Sequence, residues 1–302
     1  MNTGRMNTVT DEHIRAIVDI RTTQPERIAE LAASRAQPKG LVGSTGRMLL
    51  VAADHSARGA LRAGNDPLAM GDRADLLDRM VRALRRPGVD GVLGTADVIE
   101  DLLLLGALEN KVVIGSMNRG GLAGTVFEID DRFTGFNADS IADAGYQGGK
   151  MLFRIDPNDP ATPATMQSCA HAVDSLAGHS LMAMVEPFIS RRDGEGRMRN
   201  DLSTGSVVRS ATVAAGLATT SAHTWLKLPV VENMEAVLAA TTLPVVLLGG
   251  EVSSDQNAQF AAWSKALASP MVRGMVVGRS LLYPPDDNVE TAVDATVEMM
   301  AS

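Results

Sequence analysis

Cysteine occurs once in 302 residues, at Cys169. No intrachain disulfide framework can form, and a reducing compartment, the cytoplasm, is the expected location. Aromatic residues make up 3% of the chain and the formal net charge is −8. Both argue against nucleic acid as a partner, which calls for a basic face and stacking rings. No apolar run approaches the ~20 residues that span a bilayer. The segment Met1 to Asp19 is polar and lacks the apolar stretch of a signal peptide, so no membrane partner is expected. Lysine is scarce as well: of 28 basic residues, only Lys39, Lys111, Lys150, Lys227 and Lys265 are lysine, and the rest are arginine.

What the chain does have is a 45% apolar fraction, enough for a full core. Short apolar runs predict strands at 48–53, 91–93, 112–116, 149–154, 181–185, 225–228, 245–248 and 274–277. Amphipathic segments predict helices at 73–85, 96–108, 139–144, 163–177, 206–220, 234–241, 254–267 and 289–300. Near-continuous apolar strands alternating with helices indicate a parallel sheet buried on both faces. Eight such units over roughly 250 residues make a (β/α)8 TIM barrel. Two further helices, at 10–20 and 25–36, form an N-terminal extension, so residues 1–46 read as helices and connection and 47–302 as the barrel domain. An open sheet with a dinucleotide site is disfavoured, because Ala53 to Gly59 after the first strand lacks the Gly-x-Gly-x-x-Gly pattern. The turn at Gly43-Ser44-Thr45-Gly46 lacks the Gly-Lys-Ser/Thr ending of a phosphate-binding P-loop and reads as a plain loop.

In a chain that uses arginine almost everywhere, a lysine inside an apolar strand stands out. Burying an ammonium is costly, and only an amine can shed its proton near neutral pH and attack a carbonyl. Lys227, in Trp225-Leu226-Lys227-Leu228, is one such residue, and Lys150, in Gly149-Lys150-Met151-Leu152, is the other. The plain alternative is that both snorkel to the surface from strand ends.

Polar residues at the C-terminal ends of barrel strands face the active site. Those ends supply Asp54 and His55, Ser116 and Asn118, Lys150 and Arg154, Glu186, Lys227, Gly249 and Gly250, and Gly278 and Arg279. Two amines beside each other against a dry wall favour a neutral nucleophile, as a Schiff base with a ketone or aldehyde requires. Glu186 and Asp54 are the available proton carriers. Glu186, followed by Pro187 after an apolar run, is expected at a strand end with a raised pKa. His55 is expected to orient its neighbours, and Asp54 could equally be a partner for a lysine. The glycine turns Gly249-Gly250 and Gly278-Arg279 suit a phosphate group. Arg154, with Arg58, Arg119, Arg132, Arg191 and Arg192, is expected to form a cationic rim that reads an anion on the far half of the substrate. A metal site is not expected: only His55 among the histidines lies at a strand end, and two ammoniums would oppose a cation.

With these residues in place the chain resembles the class I, Schiff-base aldolases, and is most similar to the tagatose-bisphosphate aldolase type. The resemblance runs from Met48 to about Leu282 and rests on Asp54, Gly149-Lys150-Met151-Leu152, Val185-Glu186-Pro187, Lys227, Gly249-Gly250 and Gly278-Arg279. It implies Lys227 as the imine-forming residue, with Lys150 and Glu186 as acid/base companions. It also implies no cofactor, a small phosphorylated sugar as substrate, and dihydroxyacetone phosphate as a product. Homo-oligomerisation is neither required nor excluded. Phe153-Arg154-Ile155-Asp156 departs from the tyrosines usual in that family. Similarity also extends to the aldolases of inositol catabolism, which cleave 2-deoxy-5-keto-gluconate 6-phosphate to malonate semialdehyde. Three alternatives remain: a deoxyribose-phosphate-type aldolase, against which Leu247-Leu248-Gly249-Gly250 lacks the second lysine; a phosphosugar isomerase or epimerase; and a non-catalytic sugar-phosphate-binding barrel.

Overall fold

The structure is a computed structural model and describes residues 8–43, 45–250 and 256–301. Ser44 of the Gly43 to Gly46 turn and the start of the helix expected from 254 lie outside the described residues. In chain order the strands are β1 (Met48–Ala52), β2 (Gly91–Gly94), β3 (Val112–Ser116), β4 (Gly148–Ile155), β5 (Met182–Arg192), β6 (Met198–Asn200), β7 (Thr224–Leu228), β8 (Val245–Leu248) and β9 (Val272–Val277). They are ordered β4-β3-β2-β1-β9-β8-β7-β5, and β4 also pairs with β5. Eight parallel strands therefore close into a barrel, with β6 added antiparallel to the far end of β5. Two helices, α1 (Asp11–Thr23) and α2 (Arg27–Ser34), precede it. The outer ring comprises α3 (Arg73–Leu84), α4 (Ala96–Leu104), α5 (Ala138–Asp143), α6 (Thr162–Gly178), α7 (Thr204–Ala215), α8 (Met234–Leu238), α9 (Gln256–Leu267), a short α10 (Arg279–Leu282) and α11 (Val289–Ala301). This is the (β/α)8 barrel with N-terminal helices that the alternation predicts.

The two-residue period of the strands sorts the core into two shells. Met48, Leu50 and Ala52 of β1, Val112 and Ile114 of β3, and Met182 and Met184 of β5 point inward, where Leu93, Val246 and Val276 join them. Their neighbours Leu49, Val51, Val113, Ala183, Val185 and Leu226 point outward and pack under the helices. One strand pair needs a special fit: Gly274 on β9 has φ +140°, and a Cβ there would stand 1.9 Å from the carbonyl oxygen of Met48. Only glycine lets β9 lie this close to β1.

Buried Arg35, just after α2, donates to the carbonyls of Lys111 and Gly145, each at 2.9 Å. Those carbonyls lead into β3 and β4, so the N-terminal extension is tied to the lower end of the barrel. On the outside, Arg82–Glu290 joins α3 to α11, and Arg79–Asp287 and Arg86–Asp294 tie each helix to the residues flanking the other, which fastens the first helix of the ring to the last. Cys169 is buried in α6. No helix among the described residues is long and apolar enough to cross a membrane.

Two strands are longer than expected. β4 runs to Ile155 and β5 to Arg192, paired through Arg154↔Phe188 and Ile155↔Ile189. Lys150 and Glu186 are thus not at strand ends but at the level where the other strands stop, and above them β4, β5 and β6 form a raised wall. Pro187 does not end β5. Ala183 directs its N–H toward β7 by bonding His223, so residue 187, an even number of positions on, faces the same side. Pairing with β7 has already ended at Val185↔Leu226, so the missing proline donor leaves nothing unpaired.

Candidate active site

The inward-facing positions that follow the apolar layer are polar: Asp54 after β1, Ser116 on β3, Lys150 on β4, Glu186 on β5 and Lys227 on β7. Period two continued by one step brings them to one level of the barrel. Their side chains form an unbroken chain of opposite charges. Lys227 Nζ lies 3.0 Å from Glu186 Oε1, Glu186 Oε2 pairs with Lys150, and Lys150 Nζ lies 3.2 Å from Asp54 Oδ2. Arg119 Nη2 closes the chain at 3.0 Å from the same oxygen. Ser116 donates its hydroxyl proton to Asp54 Oδ2 at 3.2 Å. Lys150 and Lys227 are each 3% exposed and Asp54 2%, so these pairs are largely shielded from water and their charges are screened less than at the surface.

Charge and burial pull in opposite directions here. Burial alone would raise both carboxyls. Lys150 and then Arg119 instead hold Asp54 well below the usual carboxylate range, and Lys150 with Lys227 brings Glu186 down to about 2. The expectation that an apolar setting raises the Glu186 pKa is therefore wrong, because the two ammoniums outweigh the loss of water. Lys150 is lowered by burial and by Lys227, with Asp54 and Glu186 opposing. His55 Nδ1 stands 3.8 Å from Asp54 Oδ1. Loss of water pushes its imidazole down to about 3, against Asp54 and with Arg279, Lys227 and Lys150, so at neutral pH it is an uncharged donor and acceptor.

A cavity of about 510 Å³ opens above this layer, and Asp54, His55, Lys150, Arg154, Glu186, Lys227, Gly249, Gly250, Gly278 and Arg279 all line it. Arg58 and Arg119 line it as well, whereas Ser116, Asn118, Arg132, Arg191 and Arg192, also expected at the mouth, do not. Gly250 has φ +70°, a turn conformation that a side chain would strain. Gly278 caps α10. The turns after β8 and β9 lie across the mouth from β4, which is four strands from β9 in either direction round the barrel. A larger groove of about 880 Å³, lined by Met234, Leu238, Ala266 and Met271 among others, lies on the outside of the ring and contains none of the buried charges.

The arginines differ from expectation. Arg154 Nη1 is 2.9 Å from Glu128 Oε1, Arg58 pairs with Asp131, Arg132 with Asp130 at 2.5 Å, and Arg192 with Asp159 at 3.7 Å. With Arg119 on Asp54, five of the six expected rim arginines are engaged in ion pairs. Glu128 and Asp131 were not legible as site residues: they lie in the long loop between β3 and α5, and no local pattern announces their partners on β4 and after β1. Arg199 and Asn200 of β6 also line the cavity and belong to a strand the sequence does not signal. Among the described residues no group of three His, Cys, Asp or Glu side chains is arranged to hold a metal ion; Asp54 and Glu186 face cations instead.

A family model described as Cgl0159-like matches residues 46–297. Among solved structures, Cgl0159 from Corynebacterium glutamicum (Brevibacterium flavum) is 48% identical, with a TM-score of 0.94 over 98% of this chain and 99% of that one. An archaeal fructose-1,6-bisphosphate aldolase, solved with its catalytic lysine covalently bound to the carbinolamine intermediate of its substrate, is 17% identical, with a TM-score of 0.65 over 91% of this chain and 100% of that one. A fructose-bisphosphate aldolase from Slackia heliotrinireducens is 14% identical, with a TM-score of 0.60 over 97% and 86%. At these last two identities the likeness is one of fold. No curated protein matches the sequence.

Proposed function

The chain belongs to the Cgl0159-like family, and from that premise we propose that it is a class I aldolase working through a Schiff base on Lys227. The observation that carries this reading is the buried chain Lys227–Glu186–Lys150–Asp54 on the cavity floor. Two amines with two carboxylates between and beside them, out of water, form an expensive arrangement for mere stability. They are what imine chemistry needs. The Lys227 nitrogen adds to a ketone carbon, a proton passes to the carbonyl oxygen, and water leaves to give the protonated imine. That cation then accepts the electron pair of the neighbouring carbon–carbon bond when a hydroxyl proton is removed from the departing half, which leaves as an aldehyde. Glu186 touches both amines and is placed to move protons at the Lys227 nitrogen. Lys150, lowered by burial, serves as its acid/base companion, and Asp54 fixes Lys150.

The substrate class that fits is a phosphorylated ketose or keto sugar acid, giving dihydroxyacetone phosphate plus an aldehyde. Its phosphate would rest on the backbone of Gly249, Gly250 and Gly278 with Arg279 as a charged donor, and neutral His55 would hydrogen-bond a hydroxyl. The test is reduction with borohydride in the presence of dihydroxyacetone phosphate, followed by peptide mass mapping. The adduct should fall on Lys227. Lys227→Arg should give none although it keeps the charge, because guanidinium does not form the imine. Labelling confined to Lys150 would reverse the assignment, and no adduct at all would favour an isomerase or a binding protein.

A further inference from the structure

Followed from β7 round to the loop after β3, the buried row reads Lys227, Glu186, Lys150, Asp54, Arg119: three cations against two carboxylates. The neighbouring Arg58–Asp131 and Arg154–Glu128 pairs are matched one to one and offset nothing in the row. His55 beside Asp54 is uncharged at neutral pH, and Arg279 bears on it with further positive charge. An unmatched charge out of water is costly. A guanidinium keeps its proton at any accessible pH, whereas a buried ammonium can lose one, so the surplus is relieved at a lysine. Lys150 is the lysine between the other two cations. It shares one oxygen of Asp54 with Arg119, at 3.2 and 3.0 Å, and faces Lys227 across Glu186.

Arg119 is fixed in this place. It is 7% exposed; its Nε donates to the Asn118 carbonyl at 2.7 Å and its Nη1 to the Asp54 carbonyl at 2.5 Å. The Asn118 amide in turn bonds both backbone groups of Leu152, at 2.6 and 2.8 Å, two residues beyond Lys150 on β4. The ends of β1 and β3 and the middle of β4 are thereby locked together, and the guanidinium is kept against Asp54. Its Nη2 meets the carboxylate as a charge, not through an aligned hydrogen bond. We infer that Arg119 is a positioning residue for Lys150: by facing Asp54 with a charge that cannot be shed, it leaves Lys150 as the member of the row that gives up a proton. This deepens the aldolase reading and rests on it for the use of the free amine. In cleavage the hydroxyl proton of the departing half passes to the Lys150 nitrogen, the O–H electron pair becomes the new carbonyl bond, and the pair of the broken carbon–carbon bond goes to the imine. The direction of the Lys150 shift agrees: burial lowers the ammonium most, Asp54 and Glu186 oppose, and Lys227 and Arg119 lower it further.

The scarcity of lysine makes a direct test practical. The full-length chain is labelled with carbon-13 at the lysine Cε, the Lys150 resonance is assigned with Lys150→Arg, and its titration is followed by NMR. In the wild type the midpoint should lie below the ordinary lysine value. Arg119→Gln keeps a donor for the carbonyls but removes the charge, and should raise the midpoint by ~1–2 pH units. Arg119→Lys keeps the charge without the guanidinium fork and should reverse most of that rise. Exchange of the C3 proton of dihydroxyacetone phosphate with deuterated solvent should follow the same order, ~10- to 100-fold slower at pH 7 in Arg119→Gln and recovering at higher pH. A wild-type midpoint at or above the ordinary value, no rise in Arg119→Gln, an equal rise in Arg119→Lys, or an exchange profile that ignores the midpoint would each overturn the inference, while a borohydride adduct on Lys227 still upheld the aldolase. The expected midpoints without that adduct would strike the aldolase reading and leave the hold of Arg119 on Lys150 standing.

Discussion

Replacing Glu186 by glutamine keeps the shape of the side chain and removes the one charge that both buried amines share. The magnitude follows from titration. The carboxyl titrates at about 2 in the folded protein against 4.5 as its ordinary value. A carboxyl lowered on folding contributes stability that is fully present above its unfolded pKa and is lost as pH falls through its folded pKa. At neutral pH the shift corresponds to roughly 3 kcal/mol, at ~1.4 kcal/mol per unit. This agrees with the ~3–5 kcal/mol cost of removing one partner from a buried pair. Urea unfolding of wild type and Glu186→Gln between pH 7 and pH 2 measures it directly. The gap should be about 3 kcal/mol at pH 7, begin to close below about pH 4.5, and shrink toward zero near pH 2. A gap that stays constant with pH would show that glutamine disturbs packing and that the ammoniums find other compensation. No gap at all would mean that the Lys227–Glu186–Lys150 pairs contribute nothing net.

Turnover should survive incubation with EDTA, because the electron sink proposed here is a protonated imine; loss of activity restored by a divalent cation would refute it. Gly278→Ala should raise the KM for dihydroxyacetone phosphate about tenfold or more. Its Cβ would stand 2.6 Å from the Ala52 carbonyl oxygen, so the turn must shift away from the phosphate, and an unchanged KM would place the phosphate elsewhere.

Much of this site can be read from strand periodicity alone. Met48, Leu50, Ala52 and Asp54 are one inward-facing series, as are Met182, Met184 and Glu186, and in each the polar member marks the floor of the cavity. Lys150 and Lys227 stand out because each interrupts an apolar strand in a chain that otherwise prefers arginine. What local pattern cannot supply is pairing across distance. Glu128 reaches Arg154 and Asp131 reaches Arg58 only because the loop between β3 and α5 folds over the mouth. The reversal at Glu186 has the same origin: its own segment is apolar, and the two ammoniums that lower it come from β4 and β7. Pro187 misled as a strand terminator, since its tolerance depends on where β7 stops pairing.

The apolar layer beneath the charges governs traffic as well as stability. Met48, Leu50, Val112, Ile114, Met182 and Met184 fill the barrel below Asp54 and Glu186, so the vessel is sealed at its base. In the proposed reaction imine formation would expel a water molecule and hydrolysis of the product imine would consume one; with the base filled, both would pass through the mouth that the sugar phosphate enters. Entry, dehydration and release would then share that mouth, and the shape of the barrel would impose the order in which they use it.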